Sequence, residues 1–143
     1  MINLNDLTYN ELETAVVSVG EPKFRAEQLF KWFSLGVTDY DRMTNISNFT
    51  KQKLLTEYSV ANVNIFKKFT SKVDETVKYL IQLNDGSIVE SVAMKYNHGI
   101  SLCLSTQVGC NMGCRFCAST IGGKQRDLTA GEILGQAALL QAD

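Results

Sequence analysis

Residues 100–137 read ISLCLSTQVGCNMGCRFCASTIGGKQRDLTAGEILGQA, and the order of patterns in this stretch sets the fold class. Apolar residues alternate over 100–105, which predicts a strand. A glycine-rich loop over 107–127 follows and carries Cys110, Cys114 and Cys117. Thr129 and Glu132 then have the spacing of a capping box, and Ile133, Ala137 and Leu140 recur at helical intervals behind it. Strand, loop and helix make one βα unit, and a single unit closes neither a sheet nor a barrel. The helix is still amphipathic at Asp143, with no stop signal before it. The expectation is an N-terminal fragment of a longer protein.

Working outward, 63–69 is rich in β-formers. Val77, Tyr79, Ile81 and Leu83 alternate with Lys78, Leu80 and Gln82. Asn84-Asp85-Gly86-Ser87 is a strong turn signal, so 88–94 completes a hairpin. A second turn at Asn97-His98-Gly99 leads into the strand at 100. Before residue 60 the period is helical. Thr8 and Glu11 suggest a capping box ahead of the stripe Leu12, Ala15, Val16 and Val19, and Gly20 is a natural stop. Pro22 opens a second helix with the stripe Ala26, Leu29, Phe30 and Phe33. Ser47 caps a third helix running to about Tyr58, with Leu54, Leu55 and Tyr58 inward. The predicted class is α+β leading into α/β, in three segments: a helical domain at 1–60, a β-rich connecting segment at 61–98, and a βα segment at 99–143. Neither internal repeats nor low-complexity stretches interrupt it.

Composition narrows the setting. The chain has 143 residues, of which 45% are hydrophobic and 20% charged, ordinary for a globular protein with a packed core. The net charge of −1 argues against nucleic-acid binding by bulk charge, though not against a local basic face. No apolar run is long enough to span a bilayer, and residues 1–8 lack the basic-then-apolar pattern of a signal peptide. A cytoplasmic, reducing setting is expected, where cysteines serve as metal ligands or redox groups rather than as a disulfide framework.

Three of the four cysteines fall within eight residues as C-x3-C-x2-C. Thiolates are soft ligands that select iron–sulfur clusters, zinc or copper(I). A closed zinc site wants four ligands and a fully ligated cubane wants four cysteines. Three in one loop leave one iron of a [4Fe–4S] cluster open, and an open iron binds a small molecule directly. This is the logic of a cluster that chelates and cleaves S-adenosylmethionine. Gly109 and Gly113 let the backbone wrap such a cluster, and Phe116 is placed to shield it from water. The alternative is a zinc knuckle completed by Cys103 or by His98, the only histidine.

The stretch from Ser101 through Cys110, Cys114 and Cys117 to Thr120, and on through Lys124, Arg126 and Glu132 to Ile133, resembles the radical-SAM RNA adenine C2-methyltransferases, the RlmN family, close relatives of the Cfr resistance methyltransferases. Asp85 through Glu90 to Val92 and Lys23-Phe-Arg25-Ala-Glu-Gln-Leu-Phe match as well, so the resemblance covers nearly the whole chain. It implies that the βα segment begins a partial TIM-like (β/α) barrel, here truncated. It implies an enzyme that methylates C2 of adenine in large-subunit ribosomal RNA and in transfer RNA. Such an enzyme reduces S-adenosylmethionine to a 5′-deoxyadenosyl radical with electrons from a donor partner, and methylation at C8 is the related alternative. It assigns Cys110, Cys114 and Cys117 to the cluster and Glu90 to proton acceptance. Cys103 would resolve a covalent protein–RNA intermediate through a transient disulfide. The family's methyl-carrying cysteine has no counterpart after Cys117, and most of the S-adenosylmethionine pocket is missing, so this chain alone is expected to be catalytically incomplete.

The residues add something independent. On a strand over 88–94, Glu90 shares a face with Ile88, Val92 and Met94. If that face is buried, desolvation raises the carboxyl pKa and suits a general base; if it is an edge, Glu90 sits in water. Cys103 falls with Ser101 and Ser105, opposite Ile100, Leu102 and Leu104. That is either an accessible thiol or a small buried hydrophobe. The resemblance implies RNA binding by the helical segment, with Lys23 and Arg25 as candidates, while Trp32 and Phe33 are expected in its core. Lys124 and Arg126 either meet phosphate or close the cysteine loop.

Overall fold

The computed structural model describes residues Met1–Asp143 and divides into two compact units, Met1–Asn62 and Val63–Asp143. The second unit therefore joins residues from both the connecting and the βα segments of the sequence reading.

The first unit contains β1 (Ile2–Asn3), α1 (Tyr9–Ser18), α2 (Phe24–Ser34), α3 (Asn48–Glu57) and β2 (Tyr58–Ser59). Both ends of α1 follow the sequence signals. The Thr8 N–H and hydroxyl donate to the Glu11 carboxylate at 2.8 and 2.7 Å, and Gly20 takes φ +77° just past the last turn. Ser47 accepts from the Thr50 amide at 3.2 Å and starts α3. Leu12, Ala15, Val16, Ala26, Leu29 and Leu54 are buried in one core, with Trp32 and Phe33 packed at its margin. Two stripe positions differ from expectation. Phe30 is exposed and meets Tyr9 edge-on at 5.6 Å, and Leu55 is exposed while Thr50 and Lys51 take the inner positions. Thr50 turns inward because its hydroxyl donates to the Glu21 carboxylate at 2.8 Å. β1 pairs in parallel with β2, and the Asn5 side chain both donates to and accepts from the Ala61 backbone, at 2.9 and 2.8 Å. The two ends of the unit are thereby tied together.

The second unit is a four-stranded antiparallel meander: β3 (Val63–Thr70), β4 (Val77–Leu83), β5 (Ile88–Tyr96) and β6 (Gly99–Cys103), in that spatial order. The predicted turn joins β4 to β5, with Gly86 at φ +83°. A short pair, β7 (Gln107–Val108) with β8 (Arg126–Asp127), brackets the cysteine loop, and α4 (Ala130–Ala142) follows. Tyr79, Ile81, Leu83 and Val89 are buried in a core shared with Leu128 and Leu140. α4 does not lie on the apolar stripe Ile133, Ala137, Leu140 alone. Glu132, Gly135 and Gln136 are buried too, and Ile133 is only half-buried. Gly135 brings the helix so near β3 that a Cβ there would stand 2.8 Å from a Val63 methyl.

Candidate functional site

Strand pairing decides which side chains share a face. Phe69 stands opposite Lys78, Lys78 opposite Val92, and Val92 opposite Cys103. In the adjacent row Lys67 stands opposite Leu80, and Leu80 opposite Glu90. Directly opposed residues project to one side of a sheet. Glu90 and Cys103 therefore lie on one face, with Ile88, Val92 and Met94. The other face carries Tyr79, Ile81, Val89 and Ser91 into the core. The alternation read from the sequence holds, but the environment of Glu90 is the watery one. Its side chain is 55% exposed and pairs with Lys78 at 3.3 Å. The burial that the apolar-face reading required is therefore absent at this side chain. Cys103 is exposed, as an accessible thiol must be.

The cysteine loop is held at its neck. The Gln125 amide donates to the Val108 carbonyl and the Leu128 amide to the Thr106 carbonyl, both at 2.8 Å. The Asn111 side chain accepts from the Lys124 amide at 2.7 Å. Gly109, at φ +71°, lies where a Cβ would come within 1.9 Å of the Gly123 carbonyl oxygen, so only glycine fits. Arg126 closes the neck from outside, with bonds of 2.8 Å to both Glu132 oxygens and to Asp85. The Glu132 carboxylate, and after it that of Asp85, raises the pKa of this guanidinium. Lys124 pairs with Asp127 at 2.7 Å. Of the two roles open to these basic residues, closing the loop is the one their partners support.

All four cysteines are free thiols. Cys110 and Cys117 line an open cavity of about 590 Å³ together with Glu90, Leu80, Ile88 and Ser105. Cys114 is not in its wall; it lies at the tight turn where the Cys117 amide donates to the Cys114 carbonyl at 3.1 Å. The donor set fits an iron–sulfur cluster: three unpaired thiols in one loop, with the Met112 amide already aimed at the Cys110 sulfur at 3.4 Å. The thiols do not converge as ligands of a single ion, since no three His, Cys, Asp or Glu side chains do so anywhere in the chain. A cubane is larger than an ion and holds its ligands further apart. Neither candidate for completing a zinc knuckle joins the loop. Cys103 is in β6, and His98 stacks on Tyr96 at 5.3 Å at the β5–β6 turn. Phe116 is 94% exposed, so on this chain it shields nothing; Met112 and Ile121 beside it in the loop are exposed as well.

The sequence reading missed the group beneath the site. Gln136, fully buried, accepts from the Ser91 hydroxyl at 2.8 Å and from the Ser105 amide at 3.1 Å, and donates to the Ser105 carbonyl at 3.0 Å. The Ser105 hydroxyl in turn donates to the Glu90 carbonyl at 2.6 Å. One amide side chain thus joins α4 to the strand carrying Glu90 and to the segment entering the cysteine loop. The available signal was a glutamine three residues after Ile133, at a helical position due to face inward.

Known proteins resemble this chain in sequence and in fold. Residues 2–60 match the family model described as ribosomal RNA large subunit methyltransferase N-terminal domain. The chain is 49% identical over 142 residues, 99% of its length, to a protein of Alkaliphilus metalliredigens named "Probable dual-specificity RNA methyltransferase RlmN", of which it covers 40%. It is 49% identical over its whole length to the protein of the same name from Caldanaerobacter subterraneus, of which it covers 42%. The chain thus spans about two fifths of the length of these curated relatives. A crystal structure of a radical SAM methyltransferase from Sphaerobacter thermophilus superposes with a TM-score of 0.84 at 36% identity, covering 96% of this chain and 41% of that one.

Proposed function

We propose that this chain belongs to the RlmN family and forms part of a radical SAM enzyme that methylates C2 of adenine in large-subunit ribosomal RNA and in transfer RNA. The observation that carries this reading is the cavity shared by Glu90, Cys110 and Cys117, with Cys103 on the same sheet face. Cys110, Cys114 and Cys117 would hold a [4Fe–4S] cluster, with S-adenosylmethionine at the iron that no cysteine ligates. When bound, that cluster supplies the electron for reductive cleavage of S-adenosylmethionine, drawn from a cytoplasmic electron donor.

The chain's own residues have distinct tasks. The neck built by Gly109, Asn111 and Arg126 holds the cysteine loop, and Arg126 ties it to the β4–β5 turn through Asp85. Glu90 presents its carboxylate into the cavity, where it accepts a proton from the adenine carbon as methylation is completed. It pairs there with Lys78 at 3.3 Å. Cys103 offers an exposed thiol whose thiolate can attack the sulfur of a second cysteine bonded to the RNA: the S–S bond forms as the S–C bond breaks, and the electron pair of that bond passes to the released base. No helix of the chain is long and apolar enough to cross a membrane.

Mass spectrometry of digested RNA tests the reading, using a host whose own enzyme is deleted and which expresses the whole protein carrying this chain. C2-methyladenosine in ribosomal and transfer RNA, lost on Cys114→Ala, is the expected result. C8-methyladenosine would overturn the regiochemistry, and unmodified RNA would overturn the activity.

A further inference from the structure

Exposed aromatics and lysines interleave at the free edge of the sheet. β3 is an outer strand, and Phe66 and Phe69 on it are 58% and 41% exposed. Two ammonium groups cap the Phe69 ring: Lys67 Nζ at 4.9 Å and Lys78 Nζ at 5.3 Å from its centroid. Phe66 sits at the bulge between Ile65 and Lys67, where the register shifts.

Edge strands commonly carry lysines and bulges to prevent pairing with another chain. That purpose explains Lys67 and the bulge. It does not explain two exposed phenylalanines, which make an edge more adhesive. The aromatics call for a partner, and the lysines give its sign. The ammonium groups lie over the ring in the unbound chain, so a planar base stacks on Phe69 by displacing them toward its own anionic backbone.

Register locates this surface relative to the chemistry. Phe69 heads the cross-strand row that ends at Cys103, and Lys67 heads the row that reaches Glu90. With strands about 4.8 Å apart, the β3 positions stand about 10 Å from the strand of Glu90. That is the reach of a neighbouring nucleotide rather than of the reacting base. Lys78 links the two places, since its ammonium lies over Phe69 and pairs with Glu90.

We propose that Phe69, flanked by Lys67 and Lys78 and assisted by Phe66, is a stacking platform for an unpaired nucleotide flanking the target adenine. The inference rests on RNA being the substrate and adds how a single-stranded segment is held. It also implies that the RNA is unstacked beside the target, because a paired, stacked base offers no free face.

The test is fluorescence anisotropy of a short labelled single-stranded RNA, and of the same strand in a duplex, titrated with the chain. The wild-type chain should prefer the single strand. Phe69→Ala should weaken that binding at least about 5-fold, while Phe69→Trp retains it, since stacking is worth the equivalent of about 5- to 150-fold per base. Lys67→Gln should flatten the salt dependence. Val73→Ala, which removes exposed apolar surface at the β3–β4 turn, should change nothing. A 4-thiouridine crosslink should map to the β3 peptide. Circular dichroism checks that the variants fold, which their exposed positions favour. Unchanged binding by Phe69→Ala, equal losses on single strand and duplex, or no binding by the wild-type chain would each overturn the platform. None of these outcomes touches the cluster reading, which is decided by iron and sulfide content.

Discussion

The two faces of the meander sheet are made from alternate residues of the same strands and have opposite characters. One face puts Tyr79, Ile81, Val89 and Ser91 under α4, where every polar group shown there has a partner: Ser91 and Ser105 on Gln136, and Gln136 also on Glu132. The other face presents Lys67, Phe69, Lys78, Glu90 and Cys103 to the outside. One residue along a strand separates a group that holds the fold from a group fit for chemistry. Ser91 and Glu90 are the clearest pair: the serine is locked in the core, and the glutamate beside it is exposed and paired only with Lys78 at the surface. Precision at the exposed position comes from completeness at the buried one.

The largest way to break this contrast is on the inner face. Ile81→Ala should destabilise the second unit by about 2–5 kcal/mol through lost burial and a cavity. Urea unfolding followed at β4 amide signals measures it; the only tryptophan, Trp32, lies in the first unit and would not report it.

Next comes Gln136→Leu, which keeps the volume but strands the Ser91 hydroxyl and the Ser105 backbone groups. A cost of about 2–3 kcal/mol is expected, with faster hydrogen exchange at the Ser105 amide. This variant loosens Glu90 and the loop entry from beneath, with every side chain of the exposed face unchanged.

Acid acts more locally. The backbone N–H of Ser87, then its side chain and then Arg126, hold the Asp85 carboxyl below its ordinary value against a smaller opposing effect of burial. A group depressed in the folded state stabilises it above the unfolded pKa, about 4, and loses that contribution as pH falls through the folded value. The β4–β5 turn and its tie to the loop neck should therefore loosen only below about pH 4, seen as broadening of the Gly86 and Ser87 amide signals.

The smallest stability effect belongs to the outer face. Glu90→Gln removes an exposed ion pair and should shift stability by no more than about 0.5 kcal/mol. In the whole enzyme the same change should abolish methylation, so the two faces separate folding from function.

Much of this was legible beforehand because it is local. The capping boxes at Thr8 and Thr129, the turn at Gly86 and the alternation through β4 and β5 are each set by a few adjacent residues. The faces of Glu90 and Cys103 followed from a period of two. What escaped depends on residues far apart in the chain. The β7–β8 neck joins positions about twenty residues apart in sequence, and α4 is rotated because Gly135 admits Val63 and Gln136 finds Ser105. No period in one segment reveals what another will bring to it. The exposure of Glu90 was open for the same reason, since alternation assigns a face but not what covers it.

Everything proposed for the loop rests on Cys110, Cys114 and Cys117 forming a cluster site with one open iron. The most direct measurement is anaerobic reconstitution of the chain with iron and sulfide, metal and sulfide counts, and electron paramagnetic resonance after reduction, with and without S-adenosylmethionine. The predicted result is about four irons and four sulfides per chain, a reduced-cubane signal lost on Cys114→Ala, and a change in that signal when S-adenosylmethionine is added. Stoichiometric zinc without sulfide, or a cubane that survives Cys114→Ala, would contradict it.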